Sequence, residues 1–255
     1  LKIDLLTGKN ILITGASSGI GRCIACRCAS AGANIILVGQ DQARLENCTL
    51  EFPKEAQFHI IRTNLRDTSL LENLVADAVK KMGTIHGFVH SAGVFSPVPL
   101  RMTSPEDFIS DYTINVVAGF ELARIISMKK NLAEGGASFV FISSISGHVG
   151  ITGTSSYAST KGALLSGARA MAAELMSKKI RVNTVSPSYI LDTGITKNTF
   201  SGLSLEAQKK IMESYPLGMG TVDDVAWPVL FLLSEKARWI TGSDFCIDGG
   251  YRLRQ

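Results

Sequence analysis

Along the chain, short aliphatic runs alternate with longer segments in which apolar side chains recur every three or four positions. The runs are NILIT, NIILVG, FHIIRT and GFVHSAG in the first half, then SFVFISS, IRVNTVSP and DFCID. Their continuous apolar character predicts strands covered on both faces, as in a parallel sheet. Helical periodicity marks 20–31, 42–51, 68–82, 105–131, 155–172 and 222–234. This alternation predicts an α/β fold, a doubly wound parallel sheet of about seven strands with helices on both sides. No internal repeat, low-complexity tract or Pro/Gly/Ser-rich linker interrupts 1–255, which reads as one domain.

Composition narrows the function classes. The 255 residues are 45% hydrophobic and 19% charged, enough for a sizeable core. A net charge of +4 is spread along the chain, with no basic stripe interleaved with aromatics, so nucleic acid is not an expected partner. The longest apolar runs, such as VLFLL, fall far short of the ~18 residues that cross a membrane. The opening LKIDLLTGKN lacks signal-peptide architecture, although the numbered chain does not begin with Met, and a cytoplasmic protein is expected. Five irregularly spaced cysteines do not make a disulfide framework. Cys23, Cys26 and Cys28 lie in one helical segment that no second Cys/His cluster completes, so they read as packing residues and no metal is expected.

In an open parallel sheet, ligands bind beyond the carboxyl ends of the strands. The unusual residues fall there: TGASSGIG after the first strand, HSAG after the fourth, SSISG after the fifth and SPSYI after the sixth. In TGASSGIG, Gly15 permits a sharp turn, Gly19 lets backbone approach a pyrophosphate, and Gly21 lets the helix pack on the strand. Many strand–helix turns carry glycines for steric reasons alone, so the loop does not by itself specify a dinucleotide. Further on, Tyr157 and Lys161 stand four apart on a predicted helix and share a face. A neighbouring ammonium would lower the phenol from its ordinary ~10, although an aromatic ring packed on a lysine stem has the same spacing.

Taken together, TGxxxGxG, the SAG after strand four, Asn115, Ser144, Tyr157, Lys161 and the late DGG resemble the short-chain dehydrogenase/reductase family. The likeness is to its single-domain members of roughly 250 residues, such as the 3-oxoacyl-carrier-protein reductases. It spans essentially the whole chain and implies a Rossmann-type fold and an NAD(P)-dependent oxidoreductase acting on carbonyls or secondary alcohols. It also implies a catalytic tetrad of Asn115, Ser144, Tyr157 and Lys161. Ser143 is the alternative serine, but a spacing of thirteen to Tyr157 favours Ser144. Ser144 would polarise the carbonyl and Tyr157 would deliver the proton. Lys161 would depress the Tyr157 pKa and hold the nicotinamide ribose, and Asn115 would hold a relay water.

The implied cofactor contacts are Gly15, Ser17, Ser18, Gly19, Ile20 and Gly21 in the loop, Gln40 after strand two, and Asn64 and Leu65 after strand three. Ser91, Ala92 and Gly93 follow strand four, and Pro187, Ile190 and Thr193 follow strand six, with Tyr157 and Lys161 completing the set. Four segments depart from the family pattern: His90-Ser91 stands for Asn-Asn, Ser188 for Gly, Asn64 for Asp, and the expected Thr falls one place late at Thr193. Gly39 occupies the usual acidic position and Gln40 one where Arg is frequent, so NADP(H) is favoured over NAD(H) unless Asp41 turns inward.

The segment 189–220 reads as a substrate lid with apolar members Ile190, Ile195, Phe200, Leu203 and Ile211. A carbonyl or carrier-linked 3-oxoacyl substrate is expected, with a sugar, sterol or other small alcohol as the alternative. Lys129, Lys130, Lys178 and Lys179 either dock an acidic carrier or simply complement helix dipoles. A dinucleotide sensor without turnover is the reading of another class. His90 and His148 are expected to pack or hydrogen-bond, and the family likeness implies a homo-oligomer, tetramer or dimer.

Overall fold

The computed structural model describes residues 5–254; the side chains of 195, 197–199 and 254 lie outside that description, including Ile195 of the expected lid. Seven strands form one parallel sheet among the described residues: β1 (Asn10–Thr14), β2 (Asn34–Gly39), β3 (Phe58–Arg62), β4 (Gly87–His90), β5 (Ala137–Ile142), β6 (Ile180–Pro187) and β7 (Asp244–Ile247). Their spatial order is β3-β2-β1-β4-β5-β6-β7, reversing direction of growth between β1 and β4. Such a reversal opens a crevice above the carboxyl ends.

Strand periodicity sorts each run between two cores. Ile11, Ile13, Ile35 and Leu37 face one side, where α1 (Gly19–Ser30) and α9 (Val222–Leu233) cover them. Leu12, Ile36, Phe88 and Phe139 face the other, beneath α3 (Leu71–Met82), α5 (Ala118–Ile126) and α6 (Ser155–Leu175). Both faces are therefore dry, which is why the strands read as unbroken apolar runs. The short helix α2 (Gln42–Thr49) follows β2, and α7 (Gly194–Ser201) and α8 (Leu205–Glu213) lie within 189–220.

The segment 105–131 is not the single helix that its periodicity predicts. It runs as α4 (Pro105–Tyr112), one π-helical turn at Thr113–Val117, and α5, which ends at Ile126. The π turn adds a residue to the helical repeat and carries Asn115, whose side chain turns into the fold rather than along a regular face. At the other end of the sheet, Ile190 pairs with Gly220 and Leu191 N–H donates to Gly220 O at 3.1 Å. The segment that holds α7 and α8 is thus tied at its base.

Candidate active site

The carboxyl edge of the sheet holds a cleft of about 560 Å³. Its floor is the β1–α1 turn, where Gly15 has φ +69° and Gly19 φ +52°. A Cβ on Gly21 would sit 2.3 Å from Gly15 O, so no larger residue fits between helix and turn. Ser18 precedes α1 in extended conformation without a side-chain cap, which leaves the first N–H groups of the helix directed at the cleft. Uncapped N–H groups beside a glycine cradle match the pyrophosphate of a dinucleotide.

The cleft is lined by Gly15, Ser17, Ser18, Gly19, Ile20 and Gly21 from the turn, and by Gln40 and Leu65 at its far end. Ser91, Ala92 and Gly93, then Ser144, Tyr157 and Lys161, then Pro187, Ile190 and Thr193 complete it. Asn64 does not line it. Its Oδ1 accepts from Arg66 N at 3.1 Å and Gln40 Nε2 at 3.0 Å, while Thr63 and Leu65 form the wall. Asp41 and Arg44 also border the cleft, and sequence reasoning missed the arginine. Its signal was the cation at the third position of the helix that Asp41 caps.

The two serines differ in their partners. Ser143 also borders the cleft, but its Oγ donates to Lys161 O at 2.8 Å. Ser144 borders both the cleft and an adjoining chamber that Tyr157 also lines, and its Oγ accepts from Ser146 N at 3.2 Å. Lys161 Nζ donates to Ile142 O at 2.8 Å and lies 5.4 Å from the centre of the Tyr157 ring. Burial opposes the expected acidification of the phenol by the ammonium. It pushes Tyr157 up to about 12, only partly offset by Ser144. Burial likewise brings Lys161 down to about 8.

Asn115 is fully buried, with Oδ1 accepting from Val94 N at 2.8 Å and Nδ2 donating to Val94 O and Thr160 Oγ1. It sits beside Lys161 across Gly93: a Cβ there would be 3.3 Å from Asn115 Oδ1 and 3.6 Å from Lys161 Nζ. His90 closes a second buried network. Thr14 Oγ1 donates to His90 Nδ1 at 3.0 Å and accepts from the N–H groups of Ser91 and Ala92, while His90 Nε2 donates to Ile114 O at 3.1 Å. Burial, then Lys161, lowers His90 to about 4, so the ring is neutral and positions the turn after β4.

The adjoining chamber, about 400 Å³, is walled by Phe95, Ile145, Ile151, Tyr189, Ile211, Tyr215 and Tyr251. Phe95 meets Tyr157 edge-on at 4.8 Å, and Tyr215 stacks on Tyr251 at 5.2 Å. Ile211 of the expected lid is here, whereas Ile190 lines the cleft and Phe200 packs on Tyr189. Tyr251 was missed because the DGG before it reads as a structural turn. The four lysines lie elsewhere: Lys179 immediately precedes β6 at the amino edge, and Lys178 Nζ donates to Ser127 O at 3.2 Å. Eight residues of β6, roughly 26 Å of strand, separate Lys179 from the catalytic edge, so this pair is not at the mouth of the site.

Known proteins resemble the chain throughout. A family model described as Enoyl-(Acyl carrier protein) reductase matches residues 15–252. The 3-oxoacyl-[acyl-carrier-protein] reductase FabG of Thermotoga maritima is 30% identical, covering 96% of this chain and 98% of the relative. L-xylulose reductase of Bos taurus is 32% identical, over 96% and 97%. The crystal structure of a dehydrogenase/reductase from Sinorhizobium meliloti 1021 superimposes with a TM-score of 0.89 at 29% identity, over 98% of this chain and 97% of that one. With a dinucleotide-shaped cleft that ends on Ser144, Tyr157 and Lys161, and with matches along its whole length, the chain belongs to the short-chain dehydrogenase/reductase family of NAD(P)-dependent oxidoreductases.

Proposed function

We propose that this protein is a single-domain, NADP(H)-preferring carbonyl reductase whose substrate carries an apolar group beside the carbonyl, a free ketone or a 3-oxoacyl thioester. One observation carries the reading: Tyr157 and Ser144 sit where the dinucleotide cleft opens into an aromatic-walled chamber. Phe95, Ile145, Ile151 and Ile211 offer an apolar wall to a group beside the carbonyl, while Ser146, Thr154, Ser188 and Thr196 in the same lining supply hydroxyls to a polar substrate, which keeps a sugar as the alternative to be tested. The intact tetrad also speaks against a sensor without turnover.

When bound, the nicotinamide supplies or accepts the hydride. The residues of this chain do the rest. Ser144 donates a hydrogen bond to the carbonyl oxygen as negative charge develops there. Tyr157, protonated at neutral pH given a pKa of about 12, delivers its proton to that oxygen. Lys161, near 8, restores a proton to the tyrosinate and holds the ribose, with Asn115 setting the backbone at Val94 beside it. The segment 189–220, tied at its base, closes over the substrate as a lid.

NADP(H) preference draws support from the adenosine end. Asp41 Oδ1 caps α2 at Arg44 N, and Oδ2 pairs with Arg44 Nε at 3.2 Å, so both carboxylate oxygens already have partners. Arg44 and Gln40 border the same end of the cleft, where a 2′-phosphate would compete with Asp41 for Arg44 and with Asn64 for Gln40. No helix among the described residues is long and apolar enough to cross a membrane. A cytoplasmic homo-oligomer is the assembly we propose. The test is a panel of aryl and alkyl ketones, 3-oxoacyl thioesters and sugars with NADPH and NADH. Turnover confined to sugars, or a preference for NADH, overturns the reading.

A further inference from the structure

We propose that His148, Asp244 and Cys246 form a zinc(II) site where the edge strand β7 meets the turn after β5. Asp244 and Cys246 are two residues apart on β7, so both side chains project to one face of the sheet. His148 meets them at the end of the turn that begins at the catalytic Ser144. Its Nε2 lies 2.8 Å from Asp244 Oδ2, and Cys246 Sγ lies 3.0 Å from the same oxygen and 3.7 Å from Nε2. All three ligand atoms fall within 4.8 Å of one another. A tetrahedral zinc with bonds of about 2.0 Å to N and O and about 2.3 Å to S holds its ligand atoms about 3.3–3.5 Å apart. The observed separations bracket that span, so small side-chain rotations open the triangle enough for the ion.

A second feature points the same way. Asp244 Oδ1 accepts from Thr184 Oγ1 at 2.6 Å and Ser186 Oγ at 2.8 Å, which fixes the carboxylate and leaves Oδ2 aimed at His148 and Cys246. Outer hydrogen bonds of this kind orient the ligands of metal sites. Ser186 Oγ is also 3.4 Å from His148 Nε2. The mixture of imidazole, carboxylate and thiol suits zinc, whereas magnesium and calcium take oxygen sets. None of the three residues lines the dinucleotide cleft or the substrate chamber.

Binding is a ligand exchange. Hexaaqua zinc gains the His148 Nε2 lone pair, Asp244 Oδ2 and Cys246 Sγ, sheds five waters and keeps one as its fourth ligand, and the Cys246 thiol releases its proton to solvent. Because the thiol must ionise to coordinate, zinc uptake at neutral pH releases one proton per ion. The bound ion would fasten the turn that carries Ser144 to the end strand of the sheet.

The experiment is equilibrium dialysis of chelator-stripped protein against micromolar zinc chloride, with metal counted per chain. Expected are one zinc per chain and a thermal midpoint raised by about 5–10 °C at a hundredfold excess over Kd. Zinc is lost in His148→Ala and in Cys246→Ser, but retained in Cys26→Ser. Cobalt(II) substitution of the native chain gives a thiolate charge-transfer band, a readout that does not depend on how the variants fold. Absence of stoichiometric zinc, absence of the band, or retention of zinc in either His148→Ala or Cys246→Ser overturns the proposal.

Discussion

The two ends of one sheet carry clefts of similar size. The carboxyl edge holds about 560 Å³ and the amino edge about 620 Å³, the latter lined by Lys9, His86, Gly136, Lys179, Arg181, Glu235 and Trp239. Volume therefore does not locate the chemistry. At the amino edge, polar groups close on one another: Lys9 pairs with Glu235 at 2.5 Å, Arg181 donates to Ser234 O and Ile240 O, and Asn10 donates to Met82 O and Thr84 O. At the carboxyl edge, a buried ammonium, a buried phenol and an uncapped helix N-terminus retain capacity directed into the cavity. The difference shows that a site is recognised by polar groups held out of water and aimed at open space.

Substitutions sharpen this contrast, and the largest effect is expected at Tyr157. Tyr157→Phe keeps the fold and dinucleotide binding while kcat for reduction falls by ~10²–10⁴, the usual contribution of a general acid. Lys130→Glu, at the other end of the fold, leaves kcat within twofold, even for a carrier-linked thioester. Steady-state kinetics on both variants checks the pair; comparable losses would erase the distinction between the edges.

Acid should unfold the protein partly through His90. Its folded pKa of about 4 lies below the ordinary ~6.5, so the unfolded chain binds more protons between those values and stability falls as pH drops through that window. The loss is on the order of 3 kcal/mol by pH 4. His86 at the amino edge is also lowered by burial, but it is less enclosed, and its share is smaller. Denaturant midpoints between pH 7 and 4 should flatten more in His90→Asn than in His86→Gln.

Two glycines offer a third test. Gly21→Ala places a methyl against Gly15 O and should cost about 1–3 kcal/mol while weakening dinucleotide binding. A Cβ at Gly135, by the amino-edge cleft, meets nothing within 4 Å, so Gly135→Ala should be neutral or stabilise by ~0.4–1 kcal/mol. Thermal melts with and without NADPH distinguish them. The smallest effect concerns the far end of the catalytic cleft, where Arg44→Ala should weaken NADPH by about tenfold, from loss of a charge-assisted hydrogen bond, and leave NADH unchanged. Equal weakening of both in a fluorescence titration would remove Arg44 from 2′-phosphate recognition.

Much of this was legible in the chain because it depends on local order. Two-faced burial makes strands read as apolar runs, and strand β6 spans 180–187 as its residues predict. Residues at strand ends share an edge whatever the loops do, so the glycine turn, SAG, Ser144 and the Tyr157–Lys161 helix were placed at one cleft by topology alone. The interruption at Thr113–Val117 was not legible, because a π turn and an α turn share nearly the same apolar repeat.

The sequence by itself determined the sheet and the residue types gathered at its carboxyl edge, since each follows from periodicity and chain order. Only the tertiary structure decided how those residues act on one another. Burial raised Tyr157 where spacing to Lys161 predicted the reverse, because desolvation depends on everything packed around the phenol. It turned Asp41 to Arg44, brought Tyr251 from the chain terminus onto Tyr215, and joined His148 to Asp244 across about a hundred residues. Such contacts depend on angles and distances between elements, which a linear pattern of polar and apolar positions does not encode.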